Sequence, residues 1–228
     1  MKSSISRWLH LLLFWSLLSG LPLTTAHSEE MPAAKVLVSS GEVKAAAPGK
    51  EVRQLQRGSG IFSGETIITG NNGNTQIRFT DGALLTLYKN TRFAIDDYRY
   101  SDDEAEPQRA HFSLLKGLIH TLSGKIGKKQ PKDYRLKTSV AVLGVRGTSF
   151  RAWLDKLLHV SLLDGVLQLS NDGGTLLLQK GQNALVNSFD TKPGLTPHPI
   201  NPGPFGQYSP GQKPGGQGPN QQPPPPSN

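Results

Sequence analysis

The sequence predicts an all-β domain, a sandwich or a barrel, on three observations. Apolar side chains recur with a period of two rather than 3.6, turn residues interrupt them about every ten positions, and one short phrase repeats. Taking the elements in order, Gln76-Ile77-Arg78-Phe79 alternates, Asp81-Gly82 turns, and Leu85 and Leu87 resume the apolar side. Lys89-Asn90 marks a second turn before Phe93 and Ile95. Phe112 and Leu114 run into Lys116-Gly117, with Leu118 to Leu122 beyond. Val160 and Leu162 run into Asp164-Gly165, with Leu167 and Leu169 beyond. Asp172-Gly173-Gly174 then opens a last pair, Leu176 to Gln179 and Gln182 to Val186. Each glycine-bearing junction reads as a hairpin turn, because tight turns need the positive φ that glycine adopts freely.

The repeated phrase is Ser113-Leu114-Leu115-Lys116-Gly117-Leu118-Ile119, which returns 48 residues later as Ser161-Leu162-Leu163-Asp164-Gly165-Val166-Leu167. A looser copy, Phe79-Thr80-Asp81-Gly82-Ala83-Leu84, precedes both. The spacing is too irregular for a solenoid and suits a sandwich built from similar hairpins. No stretch has the periodicity of an amphipathic helix.

The two ends differ from this body. Lys2 and Arg7 precede an apolar run from Leu9 to Leu23, and small residues follow around Ala26 and Ser28. That order is a secretory signal peptide, expected over residues 1–28 with cleavage after Ala26 or Ser28. The alternative is a retained membrane anchor, but the run is shorter than the roughly 18 to 20 apolar residues of a spanning helix. Export is expected to place the protein in the periplasm. Eight residues precede the run, too few for a folded domain on its far side. The chain has no cysteine, so a core of residues 29–188 must hold the fold without disulfides. Of 17 prolines, 12 lie at or beyond Pro193, and residues 189–228 are expected to be a disordered Pro/Gly/Gln-rich tail.

Net charge is +8. The basic residues are not interleaved with stacking aromatics, and nucleic acid is not an expected partner. Catalytic signatures are missing too. There is no nucleophile elbow, no phosphate loop, and His111, His120 and His159 stand without a second ligand at metal spacing. Asp96, Asp97, Asp102, Asp103, Glu104 and Glu106 crowd together without the glycine of a calcium loop and read as a solvated connection. Neither an enzyme nor a cofactor is expected.

Four blocks in fixed order resemble the FecR domain family. The first is Gly64-Glu65-Thr66-Ile67-Ile68-Thr69-Gly70 with Thr75 to Phe79 and Asp81-Gly82. The second is Phe112 to Gly117 with Thr121-Leu122-Ser123-Gly124. The third runs from Tyr134 to Thr138 and on through Val140 to Phe150, including Gly144, Arg146, Gly147 and Thr148. The last is Leu163-Asp164-Gly165-Val166 with Lys180-Gly181-Gln182. The resemblance implies a jelly-roll-like antiparallel β-sandwich that works by contact in envelope sensing or signalling, with a protein partner or an anionic envelope polymer. A carbohydrate or cell-wall binding module is the alternative, with Tyr98, Tyr100, Tyr134 and Trp153 as candidate stacking aromatics. Gly147, beside Arg146, is expected to mark a bulge or a close backbone approach. Lys125, Lys128, Lys129 and Lys132 lie in one glycine-containing connection and form the candidate partner-binding patch.

Overall fold

A computed structural model describes residues 31–103 and 105–200. The expected signal peptide and the tail beyond Ile200 lie outside the described residues. Fifteen strands form one open sheet system. The first eight are short: β1 (Ala34–Ser40), β2 (Val43–Ala46), β3 (Arg53–Gln54), β4 (Gly60–Ile61), β5 (Thr66–Thr69), β6 (Asn74–Phe79), β7 (Leu84–Leu87) and β8 (Arg92–Arg99). Then follow β9 (Arg109–Leu122), a short helix α1 (Lys125–Lys129), a 3-10 turn (Pro131–Asp133) and β10 (Tyr134–Lys137). The chain continues through β11 (Val142–Leu154), β12 (Leu158–Asn171), β13 (Gly174–Gln179), β14 (Asn183–Val186) and β15 (Gly194–Thr196). Hydrogen-bonded neighbours run β15-β14-β12-β11-β10-β9-β7-β6-β1-β4, with β13 on β12 and β8 on β9.

The all-β expectation holds, and the turns at Asp81-Gly82, Lys89-Asn90 and Asp172-Gly173 join successive strands. Lys116-Gly117 and Asp164-Gly165 do not. Both lie inside long strands, β9 and β12, which bend there instead of reversing. Gly117 and Gly165 have φ of +95° and +85°, so glycine's freedom serves a kink within the strand. The kinks let one strand serve two sets of neighbours. Before Gly117, β9 pairs with β8 and β10; from Gly117 onward it pairs with β7 and β11. Likewise β12 pairs with β14 before Gly165 and with β13 after it. The third long strand, β11, makes its bend as a bulge between Arg146 and Ser149, with Gly147 at φ +58°. The bends of β11 and β12 meet, since a Cβ on Gly165 would overlap the Gly147 carbonyl oxygen.

The strands are not all antiparallel. β10 lies parallel to the first half of β9, with Tyr134 opposite Ala110 and Lys137 opposite Ser113. The connection through α1 and the 3-10 turn carries the chain back to the start of β9, which a hairpin cannot do. That connection is therefore structured, where the sequence suggested a loop. α1 spans five residues, too few to show a period, and is held by Ile126, fully buried. The buried Asp81 carboxylate accepts hydrogen bonds from Ala83 N (3.0 Å) and Ile126 N (3.2 Å), and its backbone carbonyl accepts Lys125 N (3.0 Å). Ser123 Oγ accepts from Thr148 N (2.8 Å), which ties the same connection to the β11 bulge. No helix among the described residues is long and apolar enough to cross a membrane.

The core follows from the alternation. β10 reads buried-exposed-buried-exposed, and Leu136, Phe93, Phe150, Ile77 and Leu114 are fully buried. Phe112 is the hub of an aromatic cluster, with ring centroids 5.1 Å from Phe79, 5.4 Å from Phe93 and 5.5 Å from Tyr134. Burial pushes the Tyr98 and Tyr134 hydroxyls well above the ordinary phenol range, so both stay neutral.

Ordered structure also continues past Ser188, where the tail was expected to begin. β15 pairs with β14, Ile200 is 1% exposed, and its backbone N–H donates to Ser161 Oγ at 2.7 Å while its carbonyl accepts Arg151 Nη1 at 3.1 Å. The proline count obscured a segment that closes on one buried isoleucine.

Candidate functional site

Most of the motif residues singled out in the sequence serve the scaffold. Gly64 and Gly82 take positive φ in turns. Thr69 Oγ1 donates to Tyr88 O (2.6 Å) and accepts Thr91 N (2.8 Å), while Gly70 N donates to Glu42 O (2.8 Å). Asp81, Gly117, Gly147, Thr148 and Gly165 hold the strand bends and the helical connection described above. Two motif residues are placed differently. Gly144 and Arg146 lie on the outer face of β11, away from the core.

The lysine quartet does not form one patch. Lys125 Nζ pairs with Asp102 Oδ1 at 2.8 Å and sits 5.5 Å from the centroid of the Tyr100 ring. That hydrogen bond, followed by one from Tyr100, holds the Asp102 carboxyl below its usual range. Lys129 lines the same hollow as Tyr100 and Asp102. The acidic loop is thus answered by two of the lysines. Lys128 lies over the β11 bulge, with its Cγ 3.7 Å from where a Gly147 Cβ would stand. Only Lys132 reaches a larger cavity.

That cavity is a groove of about 660 Å³ across β10, β11, β12 and β13. Its register rows are explicit. Lys137, Val142, Ser170 and Thr175 are successive cross-strand neighbours, as are Gly144, Gln168 and Leu177, and then Arg146, Val166 and Gln179. Arg135 stands two residues before Lys137 and so shares its face. Lys132, Arg135, Lys137 and Arg146 all line the groove, all are exposed, and none forms an ion pair with a carboxylate among the described residues. Between them lie the side chains of Val142, Val166 and Leu177, the last 51% exposed. The face combines unneutralised cations with apolar ground, the composition of a surface that takes an anionic partner.

In the sequence Arg135 and Lys137 belong to a basic run, Lys116 to Lys137, that could orient a partner, but they are not among the patch residues, and Gln168, Ser170 and Leu177 carry no local signal. Alternation put Arg135 and Lys137 on one face, but nothing local reveals that β12 and β13 extend that face.

The remaining candidates for chemistry are dispersed. His120 Nε2 lies 3.2 Å from Ser149 Oγ, and His159 packs on Trp153 with ring centroids 5.0 Å apart. Burial first, and then a neighbour, Arg151 or His198 respectively, lowers both imidazoles below their ordinary pKa. Among the described residues no cluster of three His, Asp or Glu side chains could hold a metal ion.

Comparison with known proteins bears on the same segment. Among curated proteins, none matches the chain. Two crystal structures from Parabacteroides distasonis ATCC 8503, each described as a "putative anti-sigma factor", are similar at 16% and 17% identity with TM-scores of 0.46 and 0.47. Each likeness covers 57% of this chain, and the chain spans 58% of theirs. Residues 65–168 match the model of the family described as FecR protein. The match begins at Glu65, whose carboxylate pairs with Arg53, and ends at Gln168 in the groove. It encloses all three strand bends and all four groove cations. The segment that builds the bends and the groove, residues 65–168, is thus the part of this chain that is similar to the FecR protein family.

Proposed function

We propose that this protein is a non-enzymatic signalling module of the cell envelope, exported by its N-terminal segment, which acts by docking a protein partner on the β10–β13 face. The observation that carries this reading is the set of four groove cations, Lys132, Arg135, Lys137 and Arg146, held within the FecR-like segment without carboxylate partners among the described residues. Cations left unneutralised on a rigid sheet steer and orient a partner of opposite charge. Carbohydrate binding has less support. Tyr98 and Tyr134 are buried in the core, Tyr100 lies beneath Lys125, and Trp153 packs on His159, so none of the four offers a stacking platform in the groove. The export part rests on the leader-like first 28 residues, and retention of that segment would instead tether the same module to the membrane.

The reading predicts that reversing three charges, Arg135→Glu, Lys137→Glu and Arg146→Glu, reproduces the transcriptional profile of a deletion strain. Protein level and melting temperature should stay near wild type, because exposed strand positions tolerate substitution within about 0.5 kcal/mol each. Protease added to spheroplasts should digest the protein. A triple variant with a wild-type profile, or a chain protected in intact spheroplasts, would contradict it.

A further inference from the structure

Gly144 has no structural reason to be glycine. Its φ is not in the left-handed region, unlike Gly117, Gly147 and Gly165 in the same three long strands. A Cβ built there would meet only Gln168 Cβ, at 3.8 Å, an ordinary van der Waals distance. Glycine inside a strand is destabilising relative to alanine, because it loses more backbone freedom on folding. Where the fold does not require that cost, the remaining use of a strand glycine is to let another backbone approach the sheet closely. The bare position lies on the groove floor, in the row of Gln168 and Leu177 and between Val142 and Arg146.

We propose that the groove takes an extended acidic peptide, its backbone laid over Gly144, with at least two carboxylates and one apolar side chain facing the sheet. This rests on the docking reading above and names the partner's chemistry. Arg135 and Lys137 are two residues apart on one strand, about 6.7 Å, and side chains on one face of an extended peptide recur at the same interval. Carboxylates two residues apart therefore match the two cations in register. Arg146 and Lys132 add charge at the far end of the groove, and each arginine can engage a carboxylate through two parallel N–H donors. An apolar side chain of the peptide meets Leu177 and Val166. Gln168 and Ser170 supply neutral donors for the peptide backbone.

The test is fluorescence anisotropy on the full chain with a fluorescein-labelled peptide, Gly-Glu-Ser-Glu-Ser-Leu-Ser-Glu-Gly, at low salt, in which every Glu and the Leu share one face of the extended chain. Binding should weaken about tenfold or more when every Glu becomes Gln, and by a similar factor in Arg135→Ala/Arg146→Ala, since each exposed ion pair contributes little but several act together. Gly144→Val should weaken binding about fivefold or more without lowering the melting temperature, because its Cβ fits and valine favours strands. Gly144→Ala, which adds a single methyl, should act in the same direction. Equal affinity for wild type and both Gly144 variants would overturn the proposal. So would polygalacturonate displacing the peptide at a lower concentration of charge, which would make the occupant an anionic glycan. Absence of peptide binding would overturn the peptide while leaving the charge-reversal phenotype, and with it the docking reading, intact.

Discussion

Gly165→Ala is expected to cost more than about 4 kcal/mol, enough to unfold a domain of ordinary stability. Two effects add. The residue sits at φ +85°, where an L side chain costs roughly 1 to 2 kcal/mol. Its new Cβ would also overlap the Gly147 carbonyl, which belongs to the backbone of the facing bulge and cannot swing aside. The neighbouring glycines separate these effects. Gly147 has φ +58°, but its Cβ would meet only the flexible Lys128 side chain at 3.7 Å, so Gly147→Ala should cost about 1 to 2 kcal/mol from strain alone. Gly144→Ala has neither penalty and should be neutral or stabilising by up to about 1 kcal/mol. Urea denaturation of the three variants, followed by circular dichroism, checks the order. A Gly165→Ala protein as stable as Gly147→Ala would mean the two strand bends do not touch.

The second large effect falls on the buried carboxylate of Glu65. Arg53 donates to it through Nε (3.1 Å) and Nη2 (2.7 and 2.9 Å), and Phe62 N donates at 2.9 Å. The Glu65 side chain is 7% exposed and that of Arg53 is 37%, so water screens one partner and hardly reaches the other. Removing the arginine leaves a desolvated charge with one backbone donor. Arg53→Leu should therefore cost about 3 kcal/mol, at the low end for breaking a buried pair. Glu65→Gln in the wild-type background should cost less, since the charge it strands, on Arg53, is 37% exposed to water and still donates to Gly60 O at 2.8 Å. In the double variant Arg53→Leu/Glu65→Gln, the loss should be clearly smaller than the sum of the singles. Simple additivity would show that the two side chains are not coupled.

How much of this was legible in the residues depended on range. The alternation at Gln76–Phe79 and the Asp81-Gly82 turn are local signals, and both became the expected hairpin. Lys116-Gly117 and Asp164-Gly165 carry the same local signal and became bends instead. What distinguishes them is their partner strands: Thr91 closes against Gly117, and the Gly147 bulge closes against Gly165. No window of ten residues contains that information. The repeat of Ser113–Ile119 at Ser161–Leu167 had a structural meaning, since both copies bend a strand between two sets of neighbours. The four lysines have different neighbours for a related reason. Lysine density between Lys125 and Lys132 was visible, but the ion pair from Lys125 to Asp102 spans 23 residues and neutralises that end. Arg146 was singled out from its motif and Arg135 and Lys137 belonged to a basic run, but that the three share one face became visible only once β10 lay beside β11. Only the start of the expected tail shifts: residues 189–200 are ordered, and the buried side chain of Ile200 is a signal that their proline content hides.

The central claim, that the β10–β13 face is where this module meets its partner, is most directly tested by photocrosslinking in the living cell. A photoreactive phenylalanine analogue would replace Leu177, on the groove, and in separate strains Val38 and Leu195, which are 56% and 60% exposed away from it. The account predicts one discrete protein adduct from position 177, lost when Arg135→Ala and Arg146→Ala are added, and no comparable adduct from positions 38 or 195. An adduct at 38 or 195 with none at 177, or one at 177 that persists without the two arginines, would contradict it.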